Sequence, residues 1–149
     1  MLNTFDTLID LSQTKSDSAA VRLAKATTQL GESEQKSRVL RGYRDDYRAR
    51  LDAAARRGAT AADLANFRAF IAKLDEAVAQ QGNDENFWRE QTAHARTEWQ
   101  AEQQKLQSFT TIASRRRHEH ERAQTRREQK TQDEFASRMG QGGSFAFGK

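Results

Sequence analysis

From Leu2 to Ala54, and again from Phe67 to Ala113, this chain sets down a seam residue alternately every three and every four positions. That spacing keeps one stripe along one side of a helix, so two long helices are each given a single face to bury. The first stripe is Leu2, Phe5, Ile9, Ser12, Ser16, Ala19, Leu23, Ala26, Leu30, Ser33, Ser37, Leu40, Arg44, Tyr47, Leu51 and Ala54. The second is Phe67, Ile71, Leu74, Val78, Gln81, Glu85, Trp88, Thr92, Ala95, Trp99, Glu102, Leu106, Phe109 and Ala113. Between them lies Arg56-Arg57-Gly58-Ala59-Thr60, where the glycine lets the chain reverse and close the seam on itself. The fold class expected is all-α, a long antiparallel two-helix coiled-coil hairpin, with a gentle left-handed supercoil from the 3.5-residue period.

Composition agrees with an elongated object more than with a globular core. Hydrophobic residues make up 36% of the 149 and mean hydropathy is −0.98, too polar to fill a three-dimensional interior. Proline is absent, so nothing in the chain forces a helix to stop. There is no cysteine, which excludes disulfides and thiolate metal sites. Neither a membrane-spanning apolar stretch nor a signal pattern is legible, and a location inside the cell without membrane insertion is expected.

Thr60-Ala61-Ala62-Asp63 has capping-box spacing with Asp in place of Glu. A turn at 57–60 then fixes the register, and facing residues have numbers adding to about 118. Leu51 should lie beside Phe67, Tyr47 beside Ile71, Leu40 beside Val78, Leu30 beside Trp88, Leu23 beside Ala95 and Ile9 beside Phe109. The expected organisation is helix 1 over 1–56, the turn over 57–60 and helix 2 over 61–117. An unpaired basic helical extension over 118–139 and a disordered, glycine-rich tail over 140–149 complete it. In this register the partner helix runs out near residue 117. Ser33 facing Glu85 and Ser37 facing Gln81, with Gly31 and Gly82 nearby, predict a loose or bent seam at mid-length, each glycine costing about 1 kcal/mol in a helix.

The net charge of +4 resides in the tail. Residues 115–149 hold nine Lys/Arg against five Asp/Glu, whereas the first 114 balance at sixteen of each. Arg115-Arg116-Arg117, Arg122, Arg126, Arg127 and Lys130 are interleaved with Glu119, Glu121 and Glu128. This is a solvated charged helix, a ligand for an acidic protein groove, or a tracker of phosphates, although no nucleic-acid reader motif accompanies it. His118 and His120 point about 200° apart on a helix and cannot share a metal, and His94 has no ligand neighbour. No nucleophile-base arrangement is present, and two helices enclose no deep pocket, so neither an enzyme nor a cofactor-binding protein is expected.

Near the turn the heptad letters separate two flanks. With Arg44 and Ile71 as a positions, Tyr43, Phe70, Lys36 and Ala77 are g positions, which share one side of an antiparallel pair. The other side, at e, carries Arg41, Arg48, Arg68 and Asp75. Tyr43 and Phe70 either widen the seam or form an exposed patch for a partner.

Tyr43-Arg44-Asp45-Asp46-Tyr47-Arg48, then Phe70-Ile71-Ala72-Lys73-Leu74-Asp75-Glu76-Ala77, and in the tail Asp133-Glu134-Phe135-Ala136-Ser137-Arg138 resemble the FliJ family of flagellar export proteins. Counterparts in injectisome-type secretion are more distantly similar. The resemblance covers nearly the whole chain. It implies a rotary-stalk-like hairpin whose terminal ends enter the pore of the hexameric flagellar export ATPase and whose tip faces the export gate protein FlhA. It further implies promotion of ATPase ring assembly, escort and recycling of export chaperones, and a cytoplasmic location at the membrane face of the flagellar base. Gate-binding positions carried over by the resemblance are Leu40, Tyr43, Tyr47, Phe70, Leu74 and Ala77, while Lys36 and Gln81 depart from the family pattern. For the ATPase pore, Arg116, Arg117, Arg122 and Arg127 are the expected contacts, since weak polar contacts let a ring hold a rod without locking it. A nucleic-acid-binding basic coiled coil, motivated by a pI near 9.7, and a coiled-coil spacer dimerising through its g flank are the competing readings.

Overall fold

A computed structural model describes the backbone of residues 2–146 and the side chains of residues 4–141. Two helices account for it, α1 over Leu2–Arg56 and α2 over Ala61–Ala146. The glycines of 140–149 led to an expectation of disorder, but α2 continues as helix over 140–146, and 147–149 lie outside the described residues.

The connection between the helices is built by capping chemistry. At the end of α1 the Gly58 N–H donates to Ala55 O and the Ala59 N–H donates to Ala54 O, the paired bonds of a Schellman motif. This motif needs a left-handed residue, and Gly58 supplies it with φ of 80°. Two residues later Thr60 caps α2, its Oγ1 accepting from the Asp63 N–H at 3.2 Å while its carbonyl accepts from Leu64 N–H.

The chain divides into two units, Gln13–Gln103 and a second made of Met1–Ser12 with Gln104–Lys149. In the first, α1 and α2 form an antiparallel hairpin. Its register is fixed by cross-helix pairs: Ser33 with Asp84, Arg44 with Asp75 and Ser16 with Gln103, whose numbers add to 117, 119 and 119. These agree with the expected sum near 118. Burial follows the stripe without exception among the described residues: every seam position from Phe5 to Ala54 and from Phe67 to Ala113 is buried or half-buried.

Small residues dominate the fully buried positions of the seam. Ser16, Ala19, Ala26, Ser33 and Ser37 are buried on α1, and Ile71, Thr92 and Ala95 on α2. A buried hydroxyl is costly unless it is hydrogen-bonded. Ser16 Oγ accepts from Gln103 Nε2 at 2.7 Å, Ser33 Oγ donates to Asp84 Oδ2 at 2.8 Å, and Ser37 Oγ donates to Glu85 Oε2 at 2.9 Å.

The middle of the seam therefore differs from expectation. Ser33 takes Asp84 and Gln81 rather than Glu85, and Ser37 takes Glu85 rather than Gln81, a diagonal exchange. Instead of a loose stretch there is a closed polar layer. Ser33 and Ser37 are 3% and 2% exposed, and Arg41 and Arg89 complete Glu85 at 3.5 and 3.2 Å. The physical reason is reach: Gln81 and Glu85, one turn apart, angle in opposite directions along the seam to the two serines.

In the other unit Phe5, Leu8 and Ile9 are half-buried together with Leu106 and Phe109, and Ala113 is buried. Arg116 extends the seam by one further layer, its guanidinium lying 4.3 Å from the centre of the Phe5 ring. The apolar stripe stops at Ala113, but a planar guanidinium at the next position stacks on an aromatic face while staying wet. Every residue from Ser114 to Gln141 is exposed.

Candidate functional site

Near the turn the two flanks of the hairpin differ in chemistry. Tyr47 packs on Phe70 with ring centroids 4.5 Å apart and on Phe67 at 6.4 Å, both tilted, and Arg50 covers its outer side at 5.1 Å. Leu40, Leu74 and Ala77 are half-buried. Tyr43 stands away from the ring cluster, 55% exposed and with no ring contact among the described residues. Phe70 is both a cluster member and a surface residue, with 42% of its area in solvent.

Of the six expected gate positions, then, the structure joins Tyr47 and Phe70 directly. Leu40, Leu74 and Ala77 belong to the seam and its margin, and Tyr43 is left outward-facing. Val39, 44% exposed at the c position beside the same flank, escaped the sequence reading because a c position has no seam role. It was readable as a β-branched apolar residue one turn before Tyr43.

The opposite flank is ionic. Arg48 pairs with Asp75 at 3.3 Å, Arg44 reaches the same carboxylate at 3.8 Å, and Arg41 holds Glu85. These pairs are partly exposed and contribute little to stability, and with Arg44 and Arg48 sharing Asp75 they leave that side with an excess of positive charge. One flank of the tip is thus an aromatic and aliphatic patch, and the other is ionic, with arginine in excess.

The four expected pore contacts are all exposed on α2. Arg116 is engaged with Phe5, whereas Arg117, Arg122 and Arg127 make no ion pair among the described residues. No helix of the described residues is long and apolar enough to cross a membrane.

A family model described as "Flagellar FliJ protein" matches residues 1–143. The chain belongs to the FliJ family. Curated relatives agree: the flagellar FliJ protein of Escherichia coli K12 is 30% identical over 132 residues, spanning 89% of this chain and 90% of its own length. That of Salmonella typhi is 29% identical over 133 residues with the same shares. Among solved structures, a YscO homologue from Chlamydia trachomatis superposes with a TM-score of 0.71 over 94% of this chain and 91% of its own, at 17% identity, a likeness of fold. Membership in the FliJ family makes the chain a component of flagellar type III protein export.

Proposed function

We propose that the chain acts in flagellar type III export as a non-catalytic coupling rod. It promotes assembly of the hexameric export ATPase ring, links that ring to the gate protein FlhA and passes on export chaperones, at the cytoplasmic face of the membrane. The observation that carries this reading is the inequality of its two working regions. An apolar flank near the turn, with Val39, Tyr43 and Phe70 exposed, suits a specific protein groove. The exposed cationic stretch of α2 after Ala113 suits weaker, salt-sensitive contacts with the ATPase.

The test is a pull-down with the cognate ATPase and the soluble part of the gate, using wild type, Tyr43→Ala with Val39→Ser, and a deletion of residues 115–149. The flank variant should lose the gate and keep the ATPase, and the deletion should do the reverse. Retention of the ATPase by the deletion would remove the tail from this role.

A further inference from the structure

At mid-length the seam of the hairpin is floored by alanines. Ala26 and Ala95 are each 8% exposed, and in the register near 118 they stand in successive layers, opposite Thr92 and Leu23. On the flank of the g positions no side chain fills the space above them, and an open groove runs there between α1 and α2. Its end nearer the turn is walled by Trp88, against whose ring Phe87 stands edge-on at 5.1 Å. Phe87 is 50% exposed, so aromatic surface in solvent adjoins the groove.

The two edges of the groove differ in charge. On the α2 edge the one carboxylate, Glu98, is already taken, by His94 at 3.1 Å and by Arg22 at 3.7 Å. The α1 edge carries Arg22 and Lys25. Neither has a carboxylate three or four residues away on α1, the spacing at which a helix relieves charge, and the two cations stand three apart from each other. Lys25 makes no ion pair among the described residues. Countercharge is therefore missing along one edge only.

An occupant must set apolar side chains on the alanines and Trp88 and bring anions to the α1 side. A helix meets both demands, since it can lie along the pair and carry an apolar stripe with carboxylates on one margin. From Trp88 to Glu98 the groove offers roughly 15 Å, about three turns of such a helix. A phosphate backbone fits less well, because it is charged along its whole length and has nothing apolar to place on the floor.

We infer that this groove is a docking site for an amphipathic helix of another protein, with its apolar stripe on Ala26, Trp88 and Ala95 and its carboxylates against Lys25 and Arg22. The site goes beyond the proposed gate and ATPase contacts, which use other residues.

Trp88 and Trp99 are the two tryptophans of the chain, so full-length Trp99→Phe carries its own reporter in the groove. The probe is a synthetic helical peptide of about 18 residues, or five turns, without tryptophan. It has leucines at three-four spacing, glutamates along one margin of that stripe and glutamines along the other. The acidic peptide should move Trp88 emission to shorter wavelength along a saturable curve. A version with lysines in place of the glutamates should bind at least tenfold more weakly. Lys25→Glu in the same background should weaken the acidic peptide at least fivefold and strengthen the lysine version, with the thermal melt unchanged because Lys25 is exposed and makes no ion pair. Arg96→Glu, exposed on the opposite flank, should alter neither affinity. Absence of a saturable shift, equal binding of the two peptides, or equal effects of Lys25→Glu and Arg96→Glu would overturn the inference. Self-association of the protein alone in sedimentation, abolished by Lys25→Glu, would also overturn it and give the groove to a second copy of the chain.

Discussion

Ser33 Oγ donates to Asp84 Oδ2 at 2.8 Å and accepts from Gln81 Nε2 at 2.9 Å, so one buried hydroxyl on α1 is clamped by two side chains of α2. Polar groups at a seam cost stability relative to apolar ones but penalise every register that leaves them unpaired. Ser33→Ala removes one hydroxyl and strands parts of two partners. The expected cost is about 1 kcal/mol in urea unfolding. Adding Gln81→Leu and Asp84→Ala, which removes the stranded groups too, should restore much of that stability. A triple variant less stable than Ser33→Ala would show that the layer contributes net stability instead of register.

At the last layer of the seam, Phe5 and Arg116 should be coupled. A cation over an exposed ring contributes roughly 0.5–1 kcal/mol. Phe5→Leu keeps the apolar bulk and removes the ring face, and Arg116→Gln removes the cation. A double-mutant cycle on these two should return a coupling in that range, falling little with added salt because stacking persists. Strictly additive single effects would dissolve the pair.

The glycines separate into those the fold requires and those it does not. A Cβ added at Gly31 or Gly82 meets nothing within 4 Å, so no packing need opposes alanine there. Each replacement should raise stability by about 0.5–1 kcal/mol through helix propensity. Gly58 also has open space, yet its φ of 80° strains any L side chain. Gly58→Ala should cost about 1 kcal/mol, and thermal melts of the three single variants should show the opposite signs.

Why some of this was legible and some not is a matter of range. The seam, its register and the turn follow from local rules, since each seam residue needs only its neighbours three and four away, and Gly58 and Thr60 signal the reversal within four residues. The diagonal pairing of Ser33 and Ser37 did not follow, because side-chain reach decides which of two polar partners one turn apart is taken. Nor did Arg116 on Phe5, because the charged run after Ala113 reads as the end of the apolar stripe and spacing does not show side-chain stacking. Tyr43 and Phe70 were placed on one flank by heptad letters alone, yet only Phe70 joins the Tyr47 cluster. The heptad gives a direction around the axis, and ring contacts depend on rotamer and on the step along it.

That difference between Tyr43 and Tyr47 gives the sharpest separation of binding from folding. Tyr43 is 55% exposed and touches no ring among the described residues, so Tyr43→Ala should leave the melting temperature nearly unchanged. Tyr47 is half-buried against Phe67 and Phe70, and Tyr47→Ala empties the centre of the cluster, an expected loss of about 2 kcal/mol. If the apolar flank is the gate-binding surface, Tyr43→Ala should weaken gate binding at least tenfold in a protein as stable as wild type. Tyr47→Leu, which keeps apolar bulk in the cluster, should then bind better than Tyr43→Ala despite its lower stability. Binding that instead tracks stability across Tyr43→Ala, Tyr47→Leu and Tyr47→Ala would mean that the flank contributes only through the fold of the tip.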